Sequence, residues 1–197
     1  MDRFHPEKHV HGRRSPPVGL LLPMTASESS DLRRMLLDNP GTVTHLLETL
    51  TGELIFADVV RQYSIRASSD NGLGVTEGHP MTHRMAVLRG RTTDLPYLYA
   101  ESRFLPERLP ELAQVQLDRT NDPIGHVLVA HGLKTGRQVL PQPRPLGNDA
   151  LSVMAGFSSE VVWSRAYRLI IDELPVFAIR EWFFRSVLEA LDREARS

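Results

Sequence analysis

Glu181 lies within Leu174-Pro-Val-Phe-Ala-Ile-Arg-Glu-Trp-Phe-Phe184, a run that is apolar almost throughout. Its β-branched and aromatic content predicts a strand inside a sheet rather than at its rim. Burying a carboxylate is costly unless it is paired or protonated, and desolvation by itself raises its pKa. Two readings follow: a pocket carboxylate, or an edge residue paired with Arg180 or Arg165. Arg84 has a comparable setting, because it shares one strand face with Ala86 and Leu88 while His83, Met85, Val87 and Arg89 take the other. A buried Arg calls for an anion. The stretch Thr120-Asn-Asp-Pro-Ile-Gly125 is a helix start, with Asp122 as N-cap and Pro123 at the first helical position. The leading amides of that helix, Ile124 included, form a natural anion site, although an ordinary capped helix carries the same signature. Arg and amides suit a carboxylate, and Glu suits a hydroxyl or a proton. Together they describe a pocket for a small organic acid.

The elements that must position these groups read as follows. Residues 1–19 hold Pro6, Pro16, Pro17, Arg13, Arg14 and three histidines, His5, His9 and His11. Histidines at that spacing can bind metal, but the composition predicts a mobile polar tail, with a single domain over 20–197. Ser29–Leu37 is predicted as a short helix stopped by Asn39-Pro-Gly41, and Thr42–Leu50 as a second, capped by Thr42 and ended by Gly52. Strands are predicted over Leu54–Ile65, Thr82–Gly90 and Tyr97–Leu105, the last two as a hairpin. Pro106–Arg119 reads as a helix with Leu109, Leu112, Ala113 and Leu117 as its apolar positions, and the Asp122 helix runs to about His131. Leu140–Ser159 is rich in Pro, Gly and Ser and reads as a long loop or flap. Trp163–Ile171 pairs with the Glu181 strand through Asp172-Glu173, and Arg185–Arg196 closes the chain as a helix. Consecutive strands joined by short turns, with helices in separate stretches, define α+β with a largely antiparallel sheet.

Composition narrows the function classes. The 197 residues are 41% hydrophobic and carry a net charge of -1, which is enough apolar content for a core and a poor match to a nucleic-acid-binding surface. With no cysteine there is no disulfide framework, thiolate zinc site or cysteine nucleophile. The apolar runs are too short to span a bilayer, and the N-terminus lacks signal-peptide order, so the expected compartment is the cytoplasm. No glycine-rich phosphate loop, paired-histidine metal motif or nucleophile elbow is present. These absences leave no sequence motif for a metal or nucleotide cofactor, and monomer and dimer are both open.

The run Met85-Ala-Val-Leu-Arg-Gly-Arg91, then Leu98-Tyr-Ala-Glu-Ser102, then Leu117 to Gly125, resembles the actinobacterial chorismate pyruvate-lyases, which are distantly similar to the enterobacterial ubiquinone-pathway lyase. Ser164-Arg-Ala-Tyr-Arg-Leu169 and Ile179-Arg-Glu-Trp-Phe-Phe-Arg-Ser-Val187 match the same group, so the resemblance spans about Gly41 to Val187. It implies an antiparallel sheet with helices on one side and helix-turn-helix flaps over an enclosed pocket. It also implies cofactor-free elimination of pyruvate from chorismate to give 4-hydroxybenzoate. By this resemblance Arg84 binds the ring carboxylate with help from the Ile124 backbone amide, Val43 makes another backbone contact, and Glu181 is the catalytic carboxylate facing the ring hydroxyl. Glu181 acts as general acid or base, or only orients the substrate. Two positions depart from relatives. Arg180 replaces a small polar residue, but a strand neighbour of Glu181 points to the opposite face. Ser102 stands where the enterobacterial branch has Arg, as it does in the actinobacterial branch. The competing reading is a non-catalytic binder of small aromatic acids on the same fold, as in the effector domains of transcription regulators. Those carry a winged helix ahead of the domain, and about forty residues before the second helix are too few for one. An enzyme acting on a chorismate-derived substrate in secondary metabolism is the third reading.

Overall fold

A computed structural model of the chain describes residues 34–36, 41–140 and 160–194. The expected tail over 1–19, most of the Ser29–Leu37 helix with its turn, and the loop beyond Leu140 lie outside the described residues; of that helix, 34–36 are helical. Helix α1 is Val43–Thr51. The Thr42 side chain caps it by accepting from the His45 N–H at 3.5 Å, and Gly52, at φ 64, closes it as the left-handed residue glycine tolerates best. Strands β1 (Ile55–Arg66), β2 (Pro80–Gly90) and β3 (Pro96–Phe104) follow. A 3-10 turn (Pro106–Arg108) then leads to α2 (Glu111–Arg119) and α3 (Ile124–Ala130). A short β4 (Gly136–Val139), then β5 (Val161–Ile171), β6 (Leu174–Phe184) and α4 (Ser186–Glu194) complete the order.

All six strands form one antiparallel sheet in the order β1-β2-β3-β6-β5-β4. The α+β class read from the sequence is the class observed. Asp172 and Glu173 both take positive φ, 47° and 65°, the turn geometry whose twist matches a two-residue hairpin.

Two expectations are corrected. Pro106–Arg119 is not one helix, because Pro110 restricts the residue before it and Leu109 is extended at φ -112, ψ 150. The buried stripe is then Leu109, Ala113 and Leu117 at intervals of four, and Leu112 is 71% exposed. Nor is Asp122 the N-cap of α3. Pro123 holds that place, and the Asp122 carboxylate turns back to accept from Gln116 Nε2 at 2.8 Å and Thr120 Oγ1 at 2.9 Å.

The helices pack on one sheet face in two groups. Val43 and Leu47 of α1, with Val187 and Ala190 of α4, meet Ile55, Ala57, Ala86, Leu88 and Phe183. Ala113 and Leu117 of α2, with Val127 and Leu128 of α3, meet Phe104, Tyr167, Leu169, Phe177 and Ile179. On the other face Met85, Val87, Tyr99, Trp182 and Phe184 form a separate cluster. The alternation read along β2 is thus the observed one, and the space between the two helical groups is where the charged side chains converge.

Candidate active site

A cavity opens between those groups, with Ala57, Ala86, Leu88, Leu128 and Leu169 among its apolar lining. Arg84, Glu181, Val43 and Ile124, singled out on four separate elements, all line it. Two helix starts converge above. Val43 is the first residue of α1 and Ile124 the first of α3, so both N–H groups belong to turns that lack intrahelical partners. The starts approach so closely that a Cβ on Gly125 would lie 2.7 Å from Thr42 Cβ. Only glycine fits there. His126 Nε2, 3.0 Å from Glu48 Oε1, links the same two helices a turn further on.

Glu181 is central in the sheet, with β3 on one side and β5 on the other, and is 2% exposed. The cost of burying it is met by pairing. Arg165 Nε donates to Oε2 at 2.5 Å, and Tyr167 Oη donates to Oε1 at 2.8 Å. A carboxylate has about four acceptor positions, so a ligand hydroxyl can still be accommodated. Arg165 also donates through Nη1 to the Leu36 carbonyl, tying the helical residues 34–36 to the pair. Burial pushes the Arg165 pKa down, but Glu181 and Tyr167 outweigh it and hold the group above its ordinary value. Burial and then Glu181 drive the Tyr167 phenol well above the usual range, so it serves as a neutral donor. Of the two readings of Glu181, the interior position and the pairing with Arg165 are both present; the edge is not.

Arg84 is equally buried, at 2% exposure, but its partners are neutral. Nη1 donates to Gln62 Oε1 at 2.7 Å and to the Leu117 carbonyl at 2.5 Å, and Nη2 donates to the Asp122 carbonyl at 3.1 Å. Burial lowers its pKa, with Asp118 and Asp122 opposing through space. Ser102, cross-strand from Arg84 and 2% exposed, lines the cavity beside it. Arg180 points away, as strand alternation requires, and with Glu101 and Arg103 borders a concavity on the opposite face.

Two further groups at the cavity escaped the sequence reading. Tyr167 sits two residues from Arg165 on the same strand face, and that alternation was its available signal. Arg137 comes from β4, four residues long, too short to leave a periodic signal. Its guanidinium lies 4.2 Å from the Tyr167 ring centroid, and Nη2 donates to the Gly41 carbonyl at 2.6 Å. Among the described residues no group of three or more His, Asp or Glu side chains is placed to hold a metal ion.

A buried cation and a buried carboxylate share a largely apolar cavity under two helix starts, in an α+β protein with one antiparallel sheet. The family described as "Chorismate pyruvate-lyase Rv2949c-like" matches residues 36–191, and the chain belongs to it. The "Chorismate pyruvate-lyase" of Mycobacterium tuberculosis (strain CDC 1551 / Oshkosh) is 28% identical over 172 residues, covering 83% of this chain and 84% of that one. The protein of the same name from Mycobacterium leprae (strain TN) is 27% identical over 169 residues, covering 83% and 79%. Among solved structures, the effector domain of PhnF from Mycobacterium smegmatis is similar at a TM-score of 0.49 and 14% identity, covering 74% of this chain and 90% of that one.

Proposed function

We propose that this protein eliminates pyruvate from chorismate to give 4-hydroxybenzoate. The observation that carries the reading is the placement of Arg84 and Glu181 on one cavity, in a chain that belongs to a chorismate pyruvate-lyase family. Arg84 and the Ile124 and Val43 amides hold the ring carboxylate, and Glu181 receives the hydroxyl on C4, para to that carboxylate. The C3–O bond breaks with its electron pair leaving on oxygen, the C4 hydrogen departs as a proton, and that proton ends on the methylene carbon that becomes the methyl group of pyruvate. The ring gains aromaticity, so the protein's task is positioning and polarisation. Arg165 and Tyr167 are positioning residues that fix the Glu181 carboxylate, and an apolar lining strengthens the charged contacts. The cytoplasmic setting expected from the sequence belongs to the same proposal; no helix among the described residues is long and apolar enough to cross a membrane.

The test is incubation of the purified protein with chorismate, without added metal or nucleotide, with chromatography of the products. Pyruvate and 4-hydroxybenzoate in equal amounts are expected. Another hydroxybenzoate overturns the regiochemistry, and an inert mixture in which the aromatic acid still binds overturns the lyase in favour of a binder.

A further inference from the structure

The proposed substrate has two carboxylates, and the groups assigned so far account for one. We infer that Arg137 binds the enolpyruvyl carboxylate and holds it as the C3–O bond breaks, making this edge-strand arginine the selector for a dicarboxylate over a monocarboxylate. The inference rests on the lyase reading for the identity of the ligand, but its geometry is independent of turnover.

Counted from Glu181 on β6, Arg84 is on the second strand to one side, β2 beyond β3, and Arg137 on the second strand to the other, β4 beyond β5. In register, Arg84 lies level with Ile179 and Arg137 with Phe177, two and four residues along β6 from Glu181, so the two long side chains enter the cavity from opposite flanks and reach along the sheet toward Glu181. Both line it. Arg137 reaches the Glu181 end through the Tyr167 ring, which it overlies at 4.2 Å and whose hydroxyl donates to Glu181 at 2.8 Å. In chorismate the enolpyruvyl ether is on the carbon adjacent to the one bearing the hydroxyl. With the ring carboxylate at Arg84 and the hydroxyl at Glu181, the ether falls beside Glu181. Among the described residues lining the cavity, Arg137 and Arg84 are the two with a permanently positive side chain, and Arg84 is assigned to the ring carboxylate. Arg165 stands behind Glu181 in the ion pair and does not line the cavity. Stacking on Tyr167 and the bond to the Gly41 carbonyl at 2.6 Å hold the guanidinium in place before any ligand arrives. The leaving oxygen gains negative charge as pyruvate departs as its enolate, and a guanidinium on the adjoining carboxylate stabilises that charge.

The experiment compares two stable acids, 4-hydroxybenzoate and 3-(carboxymethoxy)-4-hydroxybenzoate, by calorimetry on the full chain and on Arg137→Met. The wild type is expected to prefer the dicarboxylate, and the variant to lose that preference by about 100-fold while its affinity for 4-hydroxybenzoate changes less than about threefold. Arg137→Gln, which keeps a donor for the Gly41 carbonyl, is the second variant should the first fail to fold. A retained preference, or an equal loss for both acids, overturns the inference. Wild type inert toward chorismate but selective for the dicarboxylate, with selectivity lost in the variant, overturns the lyase reading and leaves the role of Arg137 standing.

Discussion

Arg84 and Arg165 are buried arginines of one small site, and their charges are met in opposite ways. Arg165 has a carboxylate 2.5 Å away, while Arg84 has one amide oxygen and two backbone carbonyls. A buried ion pair spends its charge on a partner and fixes geometry, here that of Glu181. A buried guanidinium among dipoles keeps its charge available, and its acceptors hold it in position without neutralising it. The difference separates an anion-binding residue from a positioning residue.

That distinction is broken or sharpened first at Arg84. Arg84→Met is expected to lower kcat/KM for chorismate by ~100–1,000-fold, as truncation of one member of a buried charged contact does. Its folding stability should fall by no more than about 1–2 kcal/mol, because lost hydrogen bonds are offset by removal of a buried charge. Arg165→Met should behave in the reverse sense. It strands Glu181 and should cost ~3–5 kcal/mol in denaturant unfolding, and the double variant Arg165→Met, Glu181→Leu should recover most of that without activity. Equal stability losses in the two single variants would remove the distinction.

The helix starts above Arg84 supply the next test. Gly125→Ala places a methyl 2.7 Å from Thr42 Cβ, so α1 and α3 must move apart. We expect a loss of about 1–3 kcal/mol and weaker binding of 4-hydroxybenzoate, since the Val43 and Ile124 amides shift together. Thr42→Ala in the same background should not rescue, because its Cβ remains; Thr42→Gly should. Rescue by alanine would place the conflict elsewhere.

Much of this arrangement was legible because alternation and end signals are local. Thr42 and Gly52 bracket α1 as read, and the period of two placed Arg84 with Ala86 and Leu88 on the helix-covered face. The choice between Arg165 and Arg180 as the partner of Glu181 was not, and the reason is one irregularity. Pairing counted back from the Asp172-Glu173 turn sets Arg165 opposite Arg180 and Ser164 opposite Glu181. A register shift between Leu169 and Ile170 moves Arg165 opposite Glu181. Such a bulge is set by packing across the whole sheet and leaves no mark in the hairpin's own residues. Arg137 was illegible for a different reason: β4 is exposed at three of its four positions and owes its place to pairing with β5. Asp122 misled because a good N-cap residue followed by Pro describes a helix start, while Thr120 and Gln116 competed for the same carboxylate.

The smallest expected effect lies outside the cavity, where Glu53 mirrors Arg84 with the sign reversed. Its carboxylate accepts from the Thr92 and Thr93 amides at 2.9 and 3.0 Å, from Thr93 Oγ1 at 2.7 Å and from Tyr97 Oη at 2.5 Å. Burial raises its pKa, but the Tyr97 and Thr93 hydrogen bonds and the two amides together outweigh that and hold it below the ordinary value of 4.5. These donors cap the β2–β3 turn, so the charge here is structural although its partners are neutral. Because the folded-state pKa is depressed, the stabilisation is fully present above the unfolded value and is lost as pH falls through the folded one. Glu53→Gln should therefore melt below wild type at neutral pH, with the gap closing at acid pH, and leave the affinity for 4-hydroxybenzoate unchanged. A gap that persists below the folded-state pKa would mean that shape, not charge, holds the turn. It would then be the enclosure of Arg84 by a cavity, rather than the neutrality of its partners, that marks a charge kept for a ligand.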